Sequence, residues 1–143
     1  MSDADERVPD PPAGFVPMAR RGAFSQHNGP YFSRPGAAGV EQAFFALPRH
    51  CNGVGIVHGG MLAGFLDGVL AHAVGEATGR PSVTIHLSID YLTMARAGEW
   101  VIGEARLTRA TREVAFAEAR LHAGGPDLVR GSGLFKLMHK RAG

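Results

Sequence analysis

Residues 61–74 form a nearly continuous apolar stretch that contains a single carboxylate, Asp67. As a helix, this segment would present apolar side chains on almost every face, and the rest of the fold must enclose such a helix. An acidic residue inside an enclosed helix is costly unless it is hydrogen-bonded, paired with a charge or used in chemistry. Asp67 is therefore the first candidate functional residue, although a purely structural role remains open at this point.

A glycine-rich loop, residues 52–60, leads directly into this helix and ends in His58-Gly59-Gly60. The first backbone N–H groups of a helix lack intrahelical partners and lie at the positive end of its dipole. They can therefore stabilise negative charge that develops on an oxygen atom. The plain alternatives are a tight turn for Gly59 and a capping role for His58. A carboxylate and an oxyanion site so close together point to acyl-transfer chemistry.

The periodicity of the chain predicts an α+β fold. The apolar helix extends over about 60–77 and ends at Gly79 and Pro81. From Val83 to Tyr91 the odd positions are apolar and alternate with polar residues, as in a strand. Short connections between the later strands predict an antiparallel meander that covers the helix. The other predicted strands are a short piece at 31–34 and longer ones at 40–47, 100–108, 114–121 and 128–138.

Composition limits the class of protein. The length of 143 residues predicts one domain over 21–143, preceded by a proline-rich arm, residues 1–20, that is disordered or loosely docked. A net charge of +2 is too small to indicate nucleic-acid binding. The single cysteine, Cys51, excludes an internal disulfide and favours a cytoplasmic location. We also expect no membrane partner, since the apolar run is too short to span a bilayer.

The spacing of Asn52, His58-Gly59-Gly60 and Asp67 resembles that of hotdog-fold acyl-CoA thioesterases of the phenylacetate-pathway (PaaI-like) type. The resemblance covers residues 29–139 and includes the strand segments that follow the helix. It implies the hotdog fold, a curled antiparallel β-sheet wrapped around one long central helix. It also implies a homodimer, or a homotetramer built as a dimer of dimers, whose sheets join edge to edge.

The resemblance assigns catalytic roles to five residues. Asp67 would reach across the dimer and act as general base for water or as nucleophile on the thioester carbonyl. The Gly59 N–H would polarise that carbonyl, and Asn52 would position the carbonyl or the water. His58 would orient the loop, and Thr84 would hydrogen-bond the water or the carboxylate.

The same resemblance implies that the coenzyme A part of the substrate lies along Tyr91, Arg96, Arg109 and Arg112. Guanidinium groups suit the phosphates of CoA, although arginines at strand ends are most often simply solvated. No resident cofactor is implied, because CoA is part of the substrate. The seven histidines show no zinc-ligand spacing, so no metal is expected.

Several alternatives remain open from the sequence alone. A hotdog hydratase or dehydratase, a non-catalytic acyl-CoA-binding protein and a scaffolding dimer share the predicted fold. A thiol nucleophile at Cys51, next to His50, lacks an orienting acid. The acyl group, aryl or medium-chain, is not decided by the sequence.

Overall fold

The computed structural model describes residues 6–19 and 22–139. A short helix, α1 (Ala23–Asn28), precedes the long helix α2 (Gly59–Thr78), and a 3-10 turn lies at Pro48–His50. The strands are β1 (Val16–Pro17), β2 (Tyr31–Gly36), β3 (Gly39–Phe45), β4 (Ser82–Tyr91), β5 (Trp100–Ala110), β6 (Val114–His122) and β7 (Asp127–Leu137). The predicted α+β class is confirmed, whereas α1 was not predicted.

All seven strands form one antiparallel sheet in the order β1-β2-β3-β5-β6-β7-β4. The predicted antiparallel meander is confirmed for β5, β6 and β7, the strands that short connections join. β4 does not pair with β5, which follows it in sequence, but lies at the sheet edge beside β7. The connection over residues 92–99 is longer than a hairpin turn and lets the chain cross from one edge of the sheet to β5 in its interior. Strand periodicity does not show which strands become neighbours.

Helix α2 lies against the concave side of the sheet and contacts strands β3 to β7. Its buried side chains include Phe65, Leu66, Val69 and Leu70, as expected for an enclosed helix. Close packing depends on small residues in the sheet: a Cβ at Gly131 would lie 2.5 Å from Leu66 Cδ2. Within the described residues, no helix is long and apolar enough to cross a membrane.

A β-bulge in β4 determines which of its side chains face α2. The register with β7 shifts between Thr84 and His86, so Ile85 is an extra residue. Strict alternation would place Thr84 on the opposite side from Leu87, which packs against the core. Because of the bulge, both residues face the helix, and Thr84 pairs with the buried Phe135 of β7.

The N-terminal segment contacts the sheet through Phe15, which packs on the outer side with Phe32 and Ile102. β1 pairs with β2, and Phe15 is buried beneath the guanidinium of Arg34, 4.2 Å from its ring centre. Phe15 and β1 are thus held against the sheet, and the disordered or loosely docked character of the arm stays a prediction. Residues 1–5 and 20 of the predicted arm lie outside the described residues.

Candidate active site

Asp67 and Thr84 form the acidic part of the site. Asp67 lies half-buried in the middle of α2, and the Thr84 hydroxyl donates a 2.6 Å hydrogen bond to its Oδ1. Thr84 is the sole hydrogen-bond donor to this carboxylate within the described residues. The side chain opens onto a cavity of about 450 Å³ that Gly64, Phe65 and Gly68 also line. The carboxylate is therefore held at one oxygen and remains accessible from the cavity.

The N-terminus of α2 forms the second part of the site. His58 is the N-cap, and its Nδ1 accepts a 2.8 Å hydrogen bond from the Gly60 N–H. Tyr91 donates its hydroxyl hydrogen to the Gly59 carbonyl oxygen at 2.8 Å. The Gly59 N–H has no acceptor within the described residues. It is therefore a free donor at the positive end of the helix dipole.

Asn52 organises the loop that precedes this helix. Its Oδ1 accepts hydrogen bonds from the N–H groups of Val54 at 3.0 Å and Ile56 at 3.2 Å. The loop reverses direction at Gly55, whose φ of 77° favours glycine. The side-chain oxygen of Asn52 is thus used within the loop, and only its amide N–H₂ remains to donate to a substrate.

His50 supports the same loop and was missed as a site-supporting residue in the sequence. Its Nδ1 accepts from the Leu47 N–H, and its Nε2 lies 2.7 Å from the Asn28 carbonyl oxygen. Its own carbonyl accepts from the His58 N–H at 2.9 Å. Burial lowers the pKa of His50, which favours the neutral ring that this pair of hydrogen bonds requires. The only sequence signal was a polar residue next to a predicted strand end.

A thiol nucleophile at Cys51 is not favoured by the geometry. The Cys51 Sγ donates to the Leu47 carbonyl oxygen at 3.4 Å, and the neighbouring His50 ring is engaged elsewhere. Burial raises the pKa of the Cys51 thiol, which disfavours the thiolate that such a mechanism needs.

The structure gives no candidate metal centre among residues 6–19 and 22–139. No three histidine, cysteine, aspartate or glutamate side chains come together there in a way that would hold an ion. The expectation that the chemistry needs no metal therefore stays a prediction.

The two parts of the site lie far apart in one chain. Gly59 and Asp67 are eight residues apart on α2, so about 12 Å separates them along the axis at about 1.5 Å per residue. One thioester carbonyl cannot contact both groups of the same chain. The structure therefore brings Thr84 to Asp67 and Tyr91 to Gly59, but it does not bring the two pairs together.

The four predicted CoA-contacting residues lie in two separate places, one at each end of α2. Tyr91 contacts Gly59, and Arg96 forms a β-bridge with Ile56, so both lie at the start of α2. Arg109 and Arg112 lie at the β5–β6 connection. The Arg112 carbonyl oxygen accepts a hydrogen bond from the side chain of Arg80, which follows the end of α2, so these two arginines lie at the opposite end of the helix. All three of these predicted arginines are exposed, and within the described residues none of their guanidinium groups forms an ion pair with an acidic side chain.

Comparisons with known proteins agree with this fold and these elements. Residues 54–130 match the model of the thioesterase superfamily. The Pseudomonas aeruginosa protein PA0474, which bears an esterase name, is 35% identical over 88% of this chain and 96% of its own. Mouse acyl-coenzyme A thioesterase 13 is 30% identical over 51% of this chain and 53% of its own.

A solved thioesterase structure has a similar fold. A Ralstonia eutropha protein, described as a thioesterase related to phenylacetic acid degradation, superposes with a TM-score of 0.73 and 29% identity. The match covers 82% of this chain and 92% of that one. The predicted hotdog fold is confirmed, with a curled antiparallel sheet around one long helix. The chain belongs to the thioesterase superfamily and is a thioester hydrolase.

Proposed function

We propose that the protein hydrolyses an aryl or medium-chain acyl-CoA thioester to the free acid and CoA. The observation that carries this proposal is the position of Asp67 on an otherwise apolar helix. Its carboxylate accepts a hydrogen bond from Thr84 and opens onto a cavity. The name of acyl-coenzyme A thioesterase 13, a relative over about half of the chain, supports CoA as the carrier of the acyl group. We place the reaction in the cytoplasm, where the unpaired Cys51 would stay reduced.

The chemistry requires one donor for the carbonyl oxygen and one base for water. The Gly59 N–H would bind the thioester oxygen and stabilise it as it becomes an oxyanion. Asp67 would take a proton from water, whose oxygen attacks the carbonyl carbon. Alternatively, the Asp67 carboxylate would attack that carbon and form an acyl anhydride, which water cleaves after the thiolate has left, releasing the acid and restoring the carboxylate. The C–S bond then breaks, and the CoA sulfur leaves as thiolate and takes up a proton. These steps need no metal or redox cofactor.

We propose that the complete site forms between two copies of the chain. β4 pairs on one side with β7, and its other edge has no partner strand within the described residues. Val83 and Ile85 on this strand are 53% and 54% exposed, which is unusual for apolar strand residues. Pairing of β4 with a second copy would cover this edge and bring Asp67 of one chain towards Gly59 of the other. A homodimer or a dimer of dimers satisfies this requirement.

The proposed activity is tested with a panel of aryl- and alkyl-CoA thioesters, with free thiol measured as the product. We expect release of CoA from at least one class at a rate well above that of the uncatalysed reaction. Binding of acyl-CoA without thiol release would instead indicate a non-catalytic acyl-CoA-binding protein. Loss of water from a 3-hydroxyacyl-CoA without thiol release would indicate a dehydratase.

Replacing Arg109 and Arg112 together by alanine is expected to raise KM for acyl-CoA several-fold and to leave kcat nearly unchanged. Phosphates far from the reacting carbon are bound alike in the ground state and the transition state, so their loss weakens binding alone. Steady-state kinetics with the preferred acyl-CoA measure this effect.

The matched control for the arginine variant is the acyl-pantetheine thioester, which lacks the nucleotide and its phosphates. Its kinetics should change little in the double variant. Equal losses with both substrates would contradict a phosphate-binding role and would indicate that Arg109 and Arg112 support the fold.

A further inference from the structure

Gln42 is a buried polar residue whose side-chain amide is not satisfied. It lies on β3, is 3% exposed, and its Nε2 has no hydrogen-bond acceptor within the described residues. Buried amide groups in folded proteins nearly always have a partner, since leaving one unpaired is unfavourable. An orphaned donor of this kind therefore needs an explanation.

The position of Gln42 connects it with the candidate active site. Gln42 is two residues before Phe44 on β3, so both side chains lie on the side of the sheet that faces α2. It forms part of the wall of the same cavity of about 450 Å³ onto which Asp67 opens. The final torsion of a glutamine side chain is soft, so a small rotation turns the amide towards a molecule in the cavity.

The cavity wall around Gln42 combines aromatic rings with two charged side chains, since Arg49 and Asp67 also line the cavity. The rings of Tyr31 and Phe65, which also line the cavity, stack with their centres 5.7 Å apart. Burial raises the pKa of the Tyr31 hydroxyl, which therefore stays protonated at neutral pH. Gln42 thus offers a neutral N–H donor next to aromatic rings, an arrangement that suits an acceptor oxygen on a largely apolar acyl chain.

We propose that Gln42 determines acyl-group specificity by donating a hydrogen bond to an acceptor oxygen on the acyl chain. This inference rests on the proposed acyl-CoA hydrolysis and names its substrate class: acyl groups that carry a carbonyl or hydroxyl oxygen beyond the thioester. Such an oxygen satisfies the orphaned donor, whereas a plain hydrocarbon chain leaves it buried and unpaired. A site built in this way discriminates strongly against an analogue that lacks the oxygen.

The test compares octanoyl-CoA with 5-, 6- and 7-oxooctanoyl-CoA, which have the same chain length and differ in one carbonyl group. We expect the best oxo ester to exceed octanoyl-CoA about tenfold to a hundredfold in kcat/KM. In Gln42→Met, which keeps the length of the side chain and removes the donor, this ratio should fall to about one. The Tm of this variant should not decrease, because the substitution removes an unsatisfied buried group.

Two further variants make the result decisive. Gln26→Leu removes an exposed amide from the α1 wall of the same cavity and should leave the substrate ratio unchanged. Gln42→Leu provides a second apolar replacement should Gln42→Met fail to fold, and loss of folding in both would show a structural role and overturn the inference. A wild-type enzyme that hydrolyses octanoyl-CoA and every oxo ester equally also overturns it, while the proposed function stands. Absence of hydrolysis with all acyl-CoA esters would overturn the proposed function itself.

Discussion

Asp67→Asn is expected to lower kcat by at least about a hundredfold while the protein keeps its fold, since this is the usual cost of losing an acid or base group. Asparagine has the shape of aspartate, and its Oδ1 can still accept the Thr84 hydroxyl hydrogen bond. It can neither take a proton from water nor attack the thioester as a carboxylate does. Single-turnover and steady-state rates, with a thermal unfolding curve for each variant, measure this effect.

The matched control for Asp67→Asn is Thr84→Val, which keeps the carboxylate and removes its hydroxyl donor. We expect a smaller loss in kcat for this variant, because it affects the orientation of Asp67 and not its chemistry. Turnover by folded Asp67→Asn at nearly the wild-type rate would contradict any catalytic role for this residue. The half-buried carboxylate would then be a structural group.

Gly59→Pro is expected to lower kcat by about a hundredfold to a thousandfold, the loss typical for removal of one oxyanion donor. Proline removes the backbone N–H of residue 59 and is well tolerated at the first position of a helix. The preceding residue, His58, has φ −59° and ψ 136°, an extended conformation that is compatible with a following proline. The substitution therefore deletes the donor with little expected change in α2.

Gly59→Ala is the control for Gly59→Pro, because it adds a Cβ at the same position but keeps the N–H. This Cβ would lie 3.4 Å from the Tyr91 hydroxyl, close to ordinary van der Waals contact. We expect Gly59→Ala to retain most of the activity. Equal losses in both variants would indicate that space near Tyr91, and not the N–H, explains the effect.

The central elements of the fold were predictable because their signals are local. The apolar stretch around Asp67 predicted an enclosed helix, and Gly79 in the left-handed conformation ends it, as expected for a helix C-terminus. Strand periodicity also placed β5 to β7 to within a few residues. The position of β4 beside β7 was not predictable in this way, because it depends on pairing between residues distant in sequence.

The contact between Thr84 and Asp67 shows where sequence periodicity fails. Alternation predicts that Thr84 faces away from the helix, and the catalytic role expected for Thr84 came from family resemblance alone. The bulge at Ile85 reverses the alternation and turns Thr84 towards Asp67. A single inserted residue of this kind has no clear sequence signature, although bulges are frequent near active sites.

The supporting residues His50 and Gln42 were missed for a different reason. Both are polar residues next to or within a predicted strand, where polar side chains usually face solvent. Both lie close to α1: its Asn28 carbonyl oxygen is beside the His50 ring, and its residues line the cavity that Gln42 also lines. α1 has only six residues and no buried side chain, so no hydrophobic pattern revealed it.

The claim that one active site uses both chains is tested most directly by mixing subunits. Asp67→Asn and Gly59→Pro homodimers are each expected to be almost inactive, since every site lacks either the carboxylate or the N–H donor. In a mixed dimer, one site combines Gly59 of the first chain with Asp67 of the second, and the other site carries both substitutions. Unfolding and refolding the two variants together at equal concentrations should therefore restore about a quarter of the wild-type activity. Activity equal to the mean of the two separate variants after verified subunit exchange would contradict a site shared between chains.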